Sequence, residues 1–452
     1  VNVEDDHNRD RPPAPFVGWA RSSASIVVSD GWDLWSVPIK AGAKAANLTG
    51  DGRAERIRYQ RRLVVDPKER GIDLEKPQYF QIYGDRTKKS GLARLIAGKK
   101  PERLLWDDAS YFVNRVRDAE TFVFTRQTFT EFPDYWVADG NFSAPRRLTN
   151  ANPQQAEFAW SPGSRLVDYV TDKGDSLQAA LFLPAGYQEG KRYPTVVYIY
   201  EKLSQSLHQY ATPNETRALN PRVYTSRGYA VLMPDIVYKV NDPGMSAVWA
   251  VVPAVKAAIR TGVVDSAKVG LHGHSWGGYQ TAFLITQTDI FNSAIAGAPL
   301  TDMVSMYSSV YWNNGVANQA IFVSSQGRFK GNYLDNYDAY IRNSPAFHAR
   351  NVKTPLLLMH NEKDGAVDFN QGITFYNTLR ELGKDVVLLQ YVGENHNLAQ
   401  ARNQKDYTGR MQEYFDHFLR GEEAPDWLKR GVPRLEMEEH LKSRRQKPAL
   451  VP

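Results

Sequence analysis

The sequence contains no cysteine, which excludes disulfide bonds, thiolate metal sites and a cysteine nucleophile. The absence leaves the cellular compartment undecided. The sequence also lacks any run of about eighteen apolar residues, so a transmembrane helix is not expected. No secretory signal peptide is visible, although the chain begins at Val1 and not at a methionine.

Charge of either sign is not in large excess. Lys and Arg number 56 against 50 Asp and Glu, which leaves a formal net charge of +6 over 452 residues. No stripe of basic residues is interleaved with aromatic ones, so nucleic-acid binding is not expected. The composition, with 42% hydrophobic and 23% charged residues, is typical of a globular protein, and the length predicts two domains.

The first third of the chain has the pattern of β-structure. From residue 16 to about 160, short alternating strands are separated by Gly, Pro and Asp turns. A weak repeat is present, since Asp33-Leu-Trp with Asn47-Leu-Thr49 is matched by Asp134-Tyr-Trp with Arg147-Leu-Thr149. With similar strand segments between the copies, a period of about 50 residues predicts β-propeller blades, about three in all. Unrelated β-meanders that share turn chemistry are the alternative.

We expect this propeller-like region, residues 1–163, to be incomplete. Closed propellers have about four to eight blades, and an open arc of about three would expose apolar edges. The expectation is therefore that sequence is missing upstream of Val1, or that a partner covers those edges.

After residue 163 the pattern changes to near-continuous apolar strands that alternate with helices. This alternation predicts a doubly wound, mostly parallel sheet of the α/β class over residues 164–428. The strand candidates are 179–183, 195–200, 230–233, 268–271, 293–296, 355–359 and 386–390, and the helix candidates are 245–260, 279–288, 371–382 and 407–419. Residues 429–452 are predicted to form a charged surface tail.

A candidate nucleophile lies at Ser275, within Gly273-His-Ser-Trp-Gly277. This G-x-S-x-G pattern follows an apolar strand and precedes a helix, as in the nucleophile elbow of α/β-hydrolases. The glycines are needed because so tight a turn leaves no room for neighbouring Cβ atoms. A glycine-rich turn with a structural serine is the alternative. In the elbow reading, the backbone N–H of Trp276 is the first oxyanion donor.

A serine nucleophile needs a base and a carboxylate, which follow it in the order Ser, Asp, His in this fold. Asp364 follows the strand 355–359 and His396 follows the strand 386–390, so both are placed on loops at strand ends. Asp368 is the alternative acid, and a turn-capping role is the alternative for Asp364.

The other histidines are less suitable than His396 as the general base. His417 and His440 also follow Asp364, but one lies in an amphipathic helix and the other in the charged tail. His272, His274 and His360 flank strand ends and are candidates to line the site. They have no further ligands at metal-binding spacing, so no metal is expected.

Three motifs together resemble the catalytic region of the prolyl oligopeptidase family of serine peptidases, which includes dipeptidyl and acylaminoacyl peptidases. They are GHSWGGY around Ser275, NEKDGAV around Asp364 and ENH ending at His396, and the resemblance extends over about residues 176–421. It implies an α/β-hydrolase catalytic domain preceded by a β-propeller. It also implies that Tyr200 donates its hydroxyl to the oxyanion.

The chain departs from the family at Glu201-Lys202, where two glycines are usual. Side chains here would narrow the acyl side of the site and add a carboxylate, and Glu201 is therefore a candidate to bind a substrate's free N-terminus. By resemblance, the segment 303–312 helps to line the substrate pocket, with Met303, Tyr307 and Tyr311 as its candidates. Core helix residues are the alternative for this segment.

The sequence thus predicts a serine peptidase that cleaves short peptides through Ser275, Asp364 and His396, with no cofactor. An esterase on the same triad and a catalytically silent binding protein are the alternatives. Exopeptidase or endopeptidase action, residue preference and oligomeric state are left open, a homo-oligomer included. The resemblance favours a periplasmic or secreted location.

Overall fold

The computed structural model describes residues 10–215 and 219–446, which divide into two compact units. Of these residues, the first unit comprises 10–155 and 205–210, and the second comprises 156–204 and 211–446. The domain limits proposed from the sequence stay predictions.

The first unit is built from four-stranded antiparallel sheets in which neighbours in space are neighbours in sequence. Three such sheets are formed by the described residues, and a short helix α1 (Gly52–Glu55) lies between the first two. Their strands are β1 (Phe16–Trp19), β2 (Ser25–Ser29), β3 (Leu34–Pro38) and β4 (Ala46–Asn47), then β5 (Ile57–Arg62), β6 (Gln78–Gly84), β7 (Ser90–Leu95) and β8 (Glu102–Asp107), then β9 (Ser110–Arg115), β10 (Thr121–Gln127), β11 (Asp134–Asp139) and β12 (Arg146–Arg147).

The sequence repeat corresponds to a repeated hydrogen-bond arrangement. The Thr49 hydroxyl donates to the Asp33 carboxylate at 2.6 Å and accepts from the backbone N–H of Leu34 at 3.1 Å. In the third sheet the Thr149 hydroxyl donates to Asp134 at 2.6 Å. It accepts there from the Tyr135 N–H at 3.0 Å. Both carboxylates are buried, so these bonds compensate for the loss of their hydration.

The second unit contains an eight-stranded sheet with the order β13-β14-β16-β15-β17-β18-β21-β22. The pairs β13–β14 and β14–β16 are antiparallel, and the remaining pairs are parallel. Its strands are β13 (Ser164–Val170), β14 (Ser176–Phe182), β15 (Tyr193–Ile199), β16 (Ala230–Pro234), β17 (Val264–His274), β18 (Ser293–Gly297), β21 (Leu356–Met359) and β22 (Val386–Leu389), while β19 (Val310–Tyr311) and β20 (Val316–Ala317) form a separate hairpin.

Helices follow most of the parallel strands. They are α2 (Pro221–Ser226), α3 (Pro243–Arg260), α4 (Trp276–Gln287), α5 (Met303–Tyr307), α6 (Gln319–Val323), α7 (Tyr337–Arg342), α8 (Phe369–Glu381), α9 (Ala401–Arg420), α10 (Asp426–Lys429) and α11 (Met437–Gln446). No helix within the described ranges is both long and apolar enough to cross a bilayer.

The central strands are buried because helices cover both faces of the sheet. A Cβ on Gly270 in β17 would collide with Phe415 of α9, whereas one on Gly273 would collide with the backbone of Gly277 in α4. Residues three apart in a strand face opposite sides, so α4 and α9 lie on opposite faces. This explains the near-continuous apolar character of strands such as β21, in which all four residues are buried.

The predicted α/β class with a separate all-β region is confirmed, and all seven predicted strands are present. The sequence reasoning missed β13, which alternates buried and exposed residues at its end and pairs with one neighbour. The segment 303–312 is helical only to Tyr307 and then enters the β19–β20 hairpin.

The predicted charged tail is described only as far as residue 446. It contains α11, and Arg444 of this helix makes ion pairs with Asp406 and Glu413 of α9. The side chain of Arg444 is only 10% exposed. Ion pairs with another helix gave no periodic signal from which the docking could be predicted.

Candidate active site

The strand-to-helix turn at Ser275 is strained. Ser275 has φ 60° and ψ −120°, a conformation that costs an L-residue energy and persists only where its surroundings enforce it. Here the Ser275 N–H donates to the Gly297 carbonyl at 2.8 Å, and the Tyr279 N–H donates to the Ser275 carbonyl at 2.9 Å. The turn therefore holds the serine at the carboxyl end of β17.

The glycines on either side of Ser275 are required by close backbone approaches. A Cβ on Gly273 would meet the carbonyl of Gly277, and a Cβ on Gly277 would meet the carbonyl of Ile199 at the end of β15. Both collisions are with backbone, which cannot move aside without disturbing the sheet. The G-x-S-x-G spacing thus has a steric cause in this chain.

The structure brings Ser275, His396 and Asp364 into one hydrogen-bonded chain. His396 Nε2 lies 2.8 Å from Ser275 Oγ, and His396 Nδ1 lies 2.8 Å from Asp364 Oδ2. A carboxylate accepts the Nδ1–H, which leaves Nε2 as the acceptor for the serine hydroxyl proton. This tautomer is the one that a general base needs.

Asp364 is oriented from two sides. Its Oδ1 accepts the backbone N–H groups of Ala366 and Val367, both at 2.8 Å, while Oδ2 faces His396 and lies 3.3 Å from His360 Nε2. Although burial acts in the opposite direction, the hydrogen bonds from His360 and His396 hold the pKa of Asp364 well below its usual range. The carboxylate is therefore ionised.

An asparagine beside the candidate base connects three loops, and the sequence analysis did not identify it. Asn395 Oδ1 accepts from the N–H groups of His396 at 2.6 Å and Gly365 at 2.9 Å, and its amide nitrogen donates to Asn313 Oδ1 at 2.8 Å. Its carbonyl accepts from Asn361 Nδ2 at 2.8 Å. These hydrogen bonds connect the loop that carries His396, the loop that carries Asp364 and the β19–β20 hairpin. Its place within the ENH motif was the only sequence signal.

A cavity of about 370 Å³ opens beside Ser275. Most of its wall is apolar or aromatic, and the lining residues away from the triad include Leu300, Met306, Tyr311, Ile321, Phe322 and Val367. Such a wall suits an apolar substrate group.

The four residues proposed from the sequence for substrate binding lie in different places. Tyr311 lines the cavity. Met303 is fully buried, and Tyr307 packs edge-on against Phe322, so both belong to the aromatic cluster behind the cavity wall. Glu201 is absent from the lining and makes an ion pair of 3.1 Å with Arg328. Their roles in substrate binding stay predictions.

The two residues proposed for the oxyanion, Tyr200 and Trp276, both line the cavity. Trp276 is the first residue of α4, where backbone N–H groups have no partner within the helix. Its indole nitrogen donates to the Tyr238 hydroxyl at 3.2 Å, which fixes the ring. The Tyr200 hydroxyl accepts from Gln326 Nε2 at 3.0 Å.

The alternative acid and bases lie in other environments. Asp368 caps α8 by accepting from the Asn370 N–H at 2.9 Å. His417 contacts the Glu422 carbonyl at 2.8 Å, and His440 lies 2.8 Å from Arg410.

Three further histidines lie in β17 or directly after β21, the strands that precede Ser275 and Asp364. His272 and His360 are fully buried, and each places a ring nitrogen 3.0 Å from a backbone carbonyl. The His274 ring lies 5.0 Å from that of His396, and burial together with the neighbouring His396 lowers the pKa of His274 to about 3. Within residues 10–215 and 219–446, no group of three or more His, Cys, Asp or Glu side chains is placed to hold a metal ion.

Comparison with known proteins identifies the relatives of this arrangement. Residues 242–422 match the model of the prolyl oligopeptidase family. An uncharacterized peptidase of Bacillus subtilis is 25% identical over 287 residues, which cover 61% of this chain and 42% of that protein. The chain spans less than half the length of the first curated relatives that it matches.

Solved structures show the same fold. The crystal structure of Porphyromonas gingivalis dipeptidyl peptidase 4 has a TM-score of 0.65 and 17% identity, covering 87% of this chain and 54% of that chain. An acylaminoacyl peptidase of Pyrococcus horikoshii has a TM-score of 0.64 and 17% identity, and the match covers 90% of this chain and 64% of that chain. The resemblance to the prolyl oligopeptidase family that the three motifs predict is confirmed, because the stretch that contains all of them matches the model of that family.

Proposed function

We propose that this protein is a serine peptidase in which Ser275 is the nucleophile. The observation that carries the proposal is the hydrogen-bonded chain from Ser275 through His396 to an ionised Asp364, beside an apolar cavity. A serine hydroxyl is a weak nucleophile, and it becomes effective when a correctly oriented base can remove its proton as it attacks.

The proposed reaction has two halves. Ser275 Oγ attacks the substrate carbonyl while His396 Nε2 takes the hydroxyl proton, and Asp364 stabilises the resulting imidazolium. The C–N bond then breaks as His396 returns the proton to the leaving amine, which gives an acyl-enzyme. Water, activated by the same base, releases the acid and regenerates Ser275.

The tetrahedral intermediate carries a negative oxygen, which needs hydrogen-bond donors to stabilise it. We assign the Trp276 backbone N–H and the Tyr200 hydroxyl to this role, because both residues line the cavity that contains Ser275. Loss of one such donor typically lowers kcat by about 10²–10³-fold.

Short peptides are the proposed substrates, since the relatives of this chain include dipeptidyl peptidases and acylamino-acid-releasing enzymes. Glu201 remains the proposed partner for a free N-terminus only if a substrate competes with Arg328 for its carboxylate. Peptides with free and acetylated N-termini, compared by product mass, test this role. Equal cleavage of both would remove Glu201 from consideration.

The decisive test is labelling with a fluorophosphonate probe, which reacts with activated serines. Wild-type protein should be labelled at Ser275, and Ser275→Ala should not. Ser266→Ala, at an exposed position on the same strand β17, is the matched control and should label like wild type. A folded wild-type protein that does not react would contradict the proposal and favour a binding protein without catalysis.

An esterase is the second candidate, because the same triad and oxyanion donors act on esters. Comparing kcat/KM for peptide amides with kcat/KM for p-nitrophenyl esters separates the two. Turnover of esters alone, across amides with small, aromatic and proline residues before the scissile bond, would replace the peptidase assignment.

A further inference from the structure

Glu201, which directly follows Tyr200, makes an ion pair with a residue outside the catalytic candidates. Glu201 Oε1 lies 3.1 Å from Arg328 Nη1. The Arg328 side chain is only 3% exposed, whereas that of Glu201 is 31% exposed. A guanidinium so deeply buried requires a nearby negative charge, and Glu201 supplies one.

Arg328 is held in place on its other sides as well. Its guanidinium lies over the Tyr238 ring, with Cζ 4.0 Å from the ring centroid. Its backbone has φ 53°, a left-handed conformation that persists only under local constraint. The constraint includes the backbone bonds from Gly327 N to the Ile321 carbonyl at 2.8 Å and from Arg328 N to the Ser325 carbonyl at 3.2 Å.

The same guanidinium nitrogen that pairs with Glu201 also fixes Gln326. Arg328 Nη1 donates to the Gln326 carbonyl at 3.0 Å. The Gln326 side chain in turn donates from Nε2 to the Tyr200 hydroxyl at 3.0 Å. A continuous set of polar contacts therefore runs from Glu201 to the hydroxyl of the residue that directly precedes it.

The direction of the hydrogen bond between Gln326 and Tyr200 matters for catalysis. An amide NH₂ group can only donate, so the Tyr200 oxygen is the acceptor in this contact. The single phenolic proton is then left to point elsewhere, and the residue lines the cavity that contains Ser275. A tyrosine without this partner could rotate its proton away from a developing oxyanion.

We propose that Glu201, Arg328 and Gln326 are positioning residues that keep the Tyr200 hydroxyl available as an oxyanion donor. This inference rests on the proposed function, because it assigns a purpose to Tyr200 in acyl transfer. The Glu201 carboxylate neutralises Arg328, which shapes the turn that presents Gln326.

The experiment is a double-mutant cycle between Gln326 and Tyr200 on the full chain, with kcat and KM measured on one good substrate. Tyr200→Phe should lower kcat by about 10²-fold. Gln326→Ala should lower kcat by about tenfold with KM little changed, and it should have no further effect in the Tyr200→Phe background. Gln319→Ala, at an exposed position on α6, is the matched control.

Two further variants give readouts that a purely structural role would not produce. Gln326→Glu replaces the donating amide by a carboxylate that is already ionised at neutral pH and can only accept, so the phenolic proton should turn towards it and kcat should fall below that of Gln326→Ala. Glu201→Gln should lower kcat in wild type and not in Tyr200→Phe.

The outcomes separate this proposal from the proposed function. Equal losses from Gln326→Ala in both backgrounds, or a Gln326→Glu variant with a kcat no lower than that of Gln326→Ala, would overturn the positioning role while leaving the peptidase assignment intact. A wild-type protein that is neither labelled by fluorophosphonate nor active would overturn both.

Discussion

The two units of this protein use buried carboxylates in contrasting ways. In the first unit, Asp33 and Asp134 each accept the hydroxyl of a threonine that lies 16 and 15 residues further along the chain, just after the last strand of its sheet. In the second, Asp364 accepts a hydrogen bond from His396, and His396 contacts Ser275. These three residues come from three distant parts of the chain. The first arrangement stabilises one sheet, whereas the second holds His396 and Ser275 beside a cavity.

The difference follows from sheet topology. In the first unit, strand order equals sequence order, so each polar contact can be made within one sheet. In the second, parallel pairing brings the carboxyl ends of β17, β21 and β22 to one edge, and the loops after them supply Ser275, Asp364 and His396. In this chain the parallel pairing is what brings these three residues, which are distant in sequence, to one edge of the sheet.

The largest expected effect comes from Asp364→Asn. The amide would present a donor to His396 or lose the backbone N–H groups of Ala366 and Val367, so the base would take the wrong tautomer. We expect kcat to fall by about 10⁴-fold with the folded structure retained. Steady-state kinetics and circular dichroism check this, and a fall of less than tenfold would show that Asp364 does not orient the base.

A smaller loss is expected from Asn395→Ala. The variant removes the side-chain contacts to His396, Gly365 and Asn313, and misplaced catalytic groups lower the rate without abolishing it. We expect kcat to fall by about 10–10²-fold, measured alongside the exposed control Asn370→Ala. Unchanged kcat would mean that the base loop is held by its backbone alone.

A pH effect on stability is expected from His274. Its pKa is lowered to about 3 in the folded protein, so the unfolded chain binds a proton that the folded protein does not between about pH 6.5 and 3. Stability therefore falls as pH decreases through this window, by at most about 2 kcal/mol from pH 7 to pH 5 for this group. In His274→Gln the urea midpoint should depend less on pH; an unaltered dependence would contradict this.

The smallest effect tests the repeat in the first unit. Thr49→Val and Thr149→Val each remove one hydroxyl bond to a buried carboxylate, at a cost of about 1–2 kcal/mol. Because the two arrangements match, we expect similar losses, confined to the first unit and measured by amide hydrogen exchange. Kinetics at Ser275 should not change. A loss at only one position would indicate that the repeat has no common structural role.

Much of the site could be predicted because its signals are local. The elbow at Ser275 is a contiguous pattern with a steric cause, and Asp364 and His396 follow apolar strands that periodicity locates. The same reasoning predicted the change from β-structure to α/β-structure along the chain. It could not predict β13, whose mixed pattern belongs to a strand at the edge of the sheet.

The sequence by itself determined the strand-to-helix turn at Ser275, the order of Ser275, Asp364 and His396, and the repeated Asp and Thr positions of the first unit. Only the tertiary structure decided that Asn395 ties three loops together and that Glu201 pairs with Arg328 instead of lining the cavity. The physical reason is that periodicity reports which residues are buried along one element. The partner of a buried polar group depends on which loops from distant parts of the chain lie next to it. These loops meet only when the parallel sheet has formed.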